Sequence, residues 1–169
     1  MKKGYWFLFS LLIVIVDQIS KYWVSIALTP YKPMPVIPML NITLAYNTGA
    51  AFSFLSGAGD WHRWFFAGFS LVVSLILIIW LYRTPDQERL QSTGICLILG
   101  GAVGNLIDRG LYGYVVDFVD VYYKNHHFAT FNLADSAICI GAAFLVLDLL
   151  FKKEGSHSSD PHAKGNCSR

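Results

Sequence analysis

Charge is what this sequence has least of. Charged side chains make up 14% of its 169 residues, where a soluble domain carries about 25%. Set against 54% hydrophobic residues in long runs, that deficit excludes an ordinary soluble domain and places the chain in the integral membrane class. The net charge is only +2, and the lysines and arginines gather near the ends of apolar runs. No basic patch interleaved with aromatics occurs, so nucleic acid is not expected as a partner. Cysteine is scarce as well. Cys96 and Cys139 fall inside apolar runs and Cys167 in the C-terminal segment, which excludes a disulfide framework and a cysteine-rich metal site. His-Glu-x-x-His and a phosphate-cradling glycine loop are both missing, so no metal and no cofactor are expected.

What is present is four apolar stretches, each about long enough to cross a bilayer. The first covers residues 5–28 and follows Lys2 and Lys3. It resembles the start of a secretory signal but runs on without a small-x-small cleavage site, and is read as an uncleaved span. Pro30, Pro33, Pro35 and Pro38 forbid its continuation. Residues 40–46 alternate like a strand, Asn47-Thr48-Gly49 reads as a turn, residues 50–54 as a returning strand and 57–60 as a loop. The second span is read at 63–82 and the third at 92–111, the latter with a Gly-x-x-x-Gly pair at Gly100 and Gly104 that suits close helix packing in lipid. Residues 110–130 cannot span, and 115–123 are expected as an extended or re-entrant segment. The fourth span is 133–151. The expected fold is therefore a membrane all-α bundle of four transmembrane helices, one domain over residues 1–151, with a small β element at about 36–56 and a polar tail without fixed structure at 152–169.

The lysine pairs at both chain ends, with Arg83 and Arg89 between spans two and three, put both termini in the cytoplasm. Measured from that side, Asp17 and Lys21 stand about 18 and 24 Å up, Asn105 and Asp108 about 20 and 24 Å up, and Asp135 within about 3 Å of the outer end of its span. All fall in the outer half of a hydrocarbon core about 30 Å thick. Ionisable groups at membrane depth are costly and mark function, and their shared depth implies one site near the extracytoplasmic surface.

With no nucleophile–histidine pair at that depth, carboxylates remain. Two aspartates sharing a proton can activate water and protonate a leaving group. Asp117 and Asp135 are the attractive pair, with Asp108 a third contender. Plainer roles stand beside these: Asp17 and Lys21 as a helix-stabilising ion pair, Asp108 and Arg109 as an interfacial pair, Asn47 as a turn residue, Asp135 as an acid favoured at a helix N-terminus. Asp120 reads as a solvated strand residue and His126 and His127 as loop residues. A proton- or cation-coupled transporter is the alternative function, disfavoured because such sites usually lie at the midplane.

Five blocks now carry a resemblance: Asp17-Gln18-x-x-Lys21, Asn47-x-Gly49-Ala50-Ala51-Phe52, Gly104-Asn105-x-x-Asp108-Arg109, Val116-Asp117-Phe118 and Phe131-Asn132-x-Ala134-Asp135. In this order, over residues 5–151, the chain resembles the bacterial lipoprotein signal peptidases (signal peptidase II). The resemblance implies a multi-pass enzyme of the bacterial inner membrane, an intramembrane aspartic endopeptidase. Its substrate would be a prolipoprotein, cut just before a diacylglyceryl-modified cysteine. It implies Asp117 and Asp135 as the catalytic pair, with Asp17, Lys21, Asn47, Gly49, Asn105, Asp108, Arg109, Asn132 and Ala134 shaping the site or binding substrate. Membrane lipid as surroundings, sensitivity to the peptide antibiotic globomycin and a monomeric state are further expectations.

Overall fold

The computed structural model describes residues 3–49, 61–124 and 126–157. Four helices, α1 (Lys3–Ala27), α2 (Trp61–Arg83), α3 (Arg89–Leu111) and α4 (Leu133–His157), form a bundle capped at one end by four strands. The strands are β1 (Met34–Ile37), β2 (Leu40–Asn47), β3 (Val115–Tyr123) and β4 (His126–His127). Each helix contains a stretch long and apolar enough to cross a membrane. The expected returning strand at 50–54 and loop at 57–60 lie outside the described residues, as does the tail beyond His157. Helix α4 runs through residues 152–157, where a polar tail was expected to begin.

Polarity is inverted relative to a soluble protein. Leu8, Leu12, Ile15 and Ile19 of α1 and Phe69, Val72, Ile76 and Ile79 of α2 face outward, while Asp17, Lys21 and Asp108 are buried. An apolar surface of that extent marks contact with lipid. Helix α3 is the axis: 56% of its apolar stretch is buried, against 17–22% in the other three helices. It packs on all of them, whereas α2 and α4 make no extended contact with each other.

Small residues set these approaches. A Cβ on Gly101 would stand 2.3 Å from the Ala134 carbonyl oxygen, and one on Gly94 would stand 2.8 Å from that of Gly141, so α3 and α4 meet backbone to backbone. Gly100 and Gly104 face α1 instead, against Ile13 and Asp17. The Gly-x-x-x-Gly pair thus seats α1, and a second glycine row seats α4.

The sheet is antiparallel in the order β1-β2-β3-β4. It is built from both connections at this end, so the expected β element at 36–56 is only half of it. Edge strand β1 tolerates Pro35, which stands opposite Asn41 beside a register shift at the rim of the sheet. The segment 115–123 is β3, paired to β2 with Asn47 opposite Val115 and Asn41 opposite Asp120. Helix α3 ends at Leu111 with Tyr112 as its C-cap, and Gly113 follows at φ +84°, the left-handed position that stops a helix. Arg63 of α2 donates to the freed carbonyls of Arg109 (3.1 Å) and Gly110 (2.6 Å). This cap aims the chain from α3 directly into β3.

Candidate active site

The sheet end brings together polar side chains from α1, β2, α3, β3 and α4. Asp17, Lys21, Asp108, Asp117 and Asn132 are between 0% and 3% exposed, so each depends on partners within the protein.

The inner part is an ion triad. Lys21 Nζ lies 2.9 Å from Asp17 and 2.9 Å from Asp108, and donates to Asn105 Oδ1 at 3.0 Å. The Asp17–Lys21 pair joins one turn of α1 to the next, as the four-residue spacing implies. Asp108 pairs with Lys21 rather than with its neighbour Arg109, which corrects the expected Asp108–Arg109 pair. Asp17 Oδ1 also accepts from the Ala134 backbone N–H at 2.9 Å, and Asp108 Oδ2 from that of Val116 at 3.1 Å. The triad therefore pins the start of α4 and the start of β3. Gln18 completes it, donating to Asp108 at 2.9 Å and to the Gly104 carbonyl at 3.1 Å. Gln18 had no assigned role from sequence; its signals are a carboxamide inside an apolar span and a place in the Asp17-Gln18-x-x-Lys21 block.

The outer part holds two carboxylates through amides. Asn132 Nδ2 donates to Asp117 Oδ1 at 2.7 Å, and Asn47 Nδ2 to Asp117 Oδ2 at 2.9 Å. Asn105 Nδ2 donates to Asp135 Oδ1 at 2.8 Å. Asn132 and Asp135 cap α4 reciprocally: the Asp135 N–H donates to Asn132 Oδ1 (3.0 Å) and the Asn132 N–H to Asp135 Oδ2 (3.2 Å). That is a capping box built from asparagine and aspartate. The expected helix-terminus role of Asp135 is real, and it coexists with a position in the polar network. Gly49, at φ +82°, turns the chain after β2, and its N–H fixes the Asn47 carboxamide at 2.9 Å. The side chain of Asn47 is thus held by the turn as well as aimed by it.

Four aspartates and two cations, Lys21 and Arg109, meet here. Burial, reinforced by the charge on Asp135 and opposed by the Asn47 and Asn132 hydrogen bonds, pushes the Asp117 carboxyl up to about 6. Arg109 forms no ion pair among the described residues. It reaches the Asn105 carbonyl at 3.4 Å and stands 5.6 Å from the Phe66 ring. With Phe66, Asn105 and Asp135 it lines a cavity of about 320 Å³ between α2 and α4, the two helices that leave a gap over α3. Asp135 therefore faces a groove between two outward-facing, apolar helices.

Asp120 contradicts its reading as a solvated residue. It is 2% exposed and accepts from Asn41 at 3.1 Å, while His127 Nδ1 lies 2.9 Å away. Those partners outweigh burial and hold its carboxyl below the usual range. His126 and His127 are likewise paired strand residues, opposite Tyr123 and Tyr122.

Comparison with known proteins places this arrangement. The family model for signal peptidase (SPase) II matches residues 9–151. The chain is similar to the lipoprotein signal peptidase of Acinetobacter baylyi, at 52% identity over 86% of this chain and 82% of that protein. It is also similar to that of Coxiella burnetii, at 51% over 86% and 89%. A bacterial membrane enzyme solved by the in meso method at 1.9 Å resolution superposes with a TM-score of 0.77 and 34% identity, covering 87% of this chain and 93% of that one. A second, at 2.3 Å, gives 0.76 and 32%, covering 97% and 95%. With a family match over most of its length and relatives at half identity, the chain belongs to the signal peptidase II family, multi-pass membrane peptidases.

Proposed function

We propose that the chain is an aspartic endopeptidase that removes the signal peptide from diacylglyceryl-modified prolipoproteins, cutting before the lipidated cysteine. The carrying observation is the pair Asp117 and Asp135, tied to one capping asparagine at the end of a groove between α2 and α4. The pair shares one proton. Its ionised member takes a proton from water, which attacks the scissile carbonyl, while the protonated member donates to the carbonyl oxygen. Collapse of the tetrahedral intermediate returns a proton to the leaving amine of the cysteine. Burial of Asp117 and the excess of carboxylates over cations let the pair hold the shared proton to a higher pH than a free carboxylate would.

The remaining residues position this pair. Asn47, Asn105 and Asn132 orient the carboxylates, Asp17, Lys21 and Asp108 fasten α1, α3, α4 and β3 to one another, and Ala134 gives α4 its close approach to Gly101. Arg109 lends positive charge to the groove, and Gly49 sets the turn that carries Asn47. The enzyme sits in the bacterial inner membrane as a monomer, both termini cytoplasmic and the sheet on the extracytoplasmic side, in keeping with the lysine pairs at the chain ends. Substrate enters laterally from lipid, and globomycin blocks the pair. The transporter alternative has no support: the matching family model and the relatives named above are signal peptidases.

The test is reconstitution of the full chain in lipid with a lipid-modified prolipoprotein and, separately, its unmodified form. One cut before the cysteine, seen by mass spectrometry in the modified substrate, is expected. Cleavage at other positions, or none, overturns the proposal.

A further inference from the structure

We infer that the far end of the α2–α4 groove is a docking site for the basic first segment of the signal peptide, with Asp148 and Glu88 as the residues that read it. This rests on the signal-peptide-removing reading above.

The groove has a cavity at each end, and both have α3 as their floor. One holds Asp135. The other, about 350 Å³, is lined by Trp80 of α2, Gln91 of α3 and Leu145, Asp148, Leu149 and Lys152 of α4. Val73 and Ile98 from the first cavity and Leu145 from the second pack on one apolar cluster, so the two are joined by an apolar wall.

The far cavity is not simply a gap in lipid. Asp148 stands there with its side chain 13% exposed, and a carboxylate at that position is costly without a cation. Lys152 supplies one, 2.9 Å from Asp148 and 2.7 Å from Glu88. Among the described residues these two carboxylates share the single ammonium of Lys152, which leaves them one negative charge in excess. The ammonium itself is at the end of a long side chain, 44% exposed, so an incoming lysine or arginine can join it or take its place. Lys3, the nearest basic residue of α1, is engaged by Asp86 and the terminal carbonyls of α2.

Length fits the same occupant. Asp135 and Asp148 lie on one helix, about 20 Å apart at 1.5 Å per residue. A signal peptide has a basic start and an apolar stretch of about 7–15 residues, which as a helix spans roughly 10–22 Å. With its cleavage site at Asp135, its basic start arrives at Asp148.

The experiment uses the reconstituted full chain and two lipid-modified prolipoproteins that differ only in a lysine pair or a glutamine pair at the start. Wild type is expected to show a KM about two- to fivefold lower for the lysine substrate, the range of a partly exposed ion pair, with kcat unchanged. Asp148→Asn abolishes the preference. Lys152→Ala widens it, a change of opposite sign that a misfolded variant cannot mimic. Asp148→Lys favours a substrate starting with glutamates. A preference that survives both Asp148→Asn and Glu88→Gln, or that moves kcat and not KM, overturns the docking site while leaving the peptidase intact. If wild type cleaves neither substrate, the peptidase reading fails and the docking site with it.

Discussion

Asn132 serves two structural demands with one carboxamide. Its oxygen caps α4 and its nitrogen holds Asp117, so the helix start and the carboxylate pair move together. Asn47 acts on Asp117 alone, and its hydrogen bond favours the charged form. Asp117 titrates near 6, so the proton that the pair needs leaves as pH rises through that value and kcat/KM falls on the alkaline side. Removing the Asn47 amide raises the pKa further. Asn47→Ala is thus expected to lower the maximal rate and to carry the alkaline limb to higher pH; a pH–rate profile with the limb unmoved or displaced downward would count against it. Lys21 offers a stability test. Lys21→Met leaves Asp17 and Asp108 buried with no other cation among the described residues within salt-bridge reach, a loss of about 3–5 kcal/mol. Lys3→Met removes a part-exposed pair with Asp86 together with bonds to the Leu81 and Thr84 carbonyls, and leaves no buried carboxylate behind, a loss of about 1 kcal/mol at so screened a position. Thermal unfolding in detergent should separate the two clearly, and equal melting temperatures would mean that the triad contributes little.

Among the elements, α3 decides where everything else goes, and its glycines show how. Gly101→Ala drives a methyl against the carbonyl of Ala134, next to Asp135, whereas Gly110→Ala meets nothing within 4 Å. The first is expected to lower both stability and turnover, by at least tenfold in kcat/KM because small misplacements of reacting groups are costly, and the second to leave both near wild type. Matched proteolytic rates for the two variants would refute close packing as the device that positions α4. The helices were legible in the sequence because a run of about 20 apolar residues has few other uses. The sheet was only partly legible: the alternation at 40–46 announces a strand but not its partner, and β3 lies more than sixty residues away. That missing partner is why Asp120 read as solvated. Its neighbours Asn41 and Thr43 come from β2, and His127 from β4. The Gly100 and Gly104 pair was legible as a packing motif, but spacing alone does not say that it receives α1, nor that Gly94 and Gly101 form a second row for α4.

At the scale of the molecule, the common depth of the polar residues was the strongest sequence argument, and the network of Asp17, Lys21, Asn105, Asp108, Asp117, Asn132 and Asp135 does form one connected group. Which of its carboxylates does chemistry cannot be read from depth, because Asp108 of the triad and Asp117 of the pair are buried alike, with Asp135 part-exposed beside them; the proposed distinction rests on the motif order. The proposed orientation rests on the flanking lysines and has its own check. In a cysteine-free variant, Lys124→Cys on the sheet is expected to react with an impermeant thiol reagent added outside intact spheroplasts, and labelling only after permeabilisation would reverse the topology. The most direct measurement on the central claim is single-turnover cleavage of a lipid-modified prolipoprotein by Asp117→Asn and Asp135→Asn, with folding verified by unchanged melting. Shared general acid–base catalysis predicts that each substitution alone lowers the rate by about 10²–10⁴-fold, and that the double variant is little worse than either. Near-wild-type turnover by either single variant would contradict it.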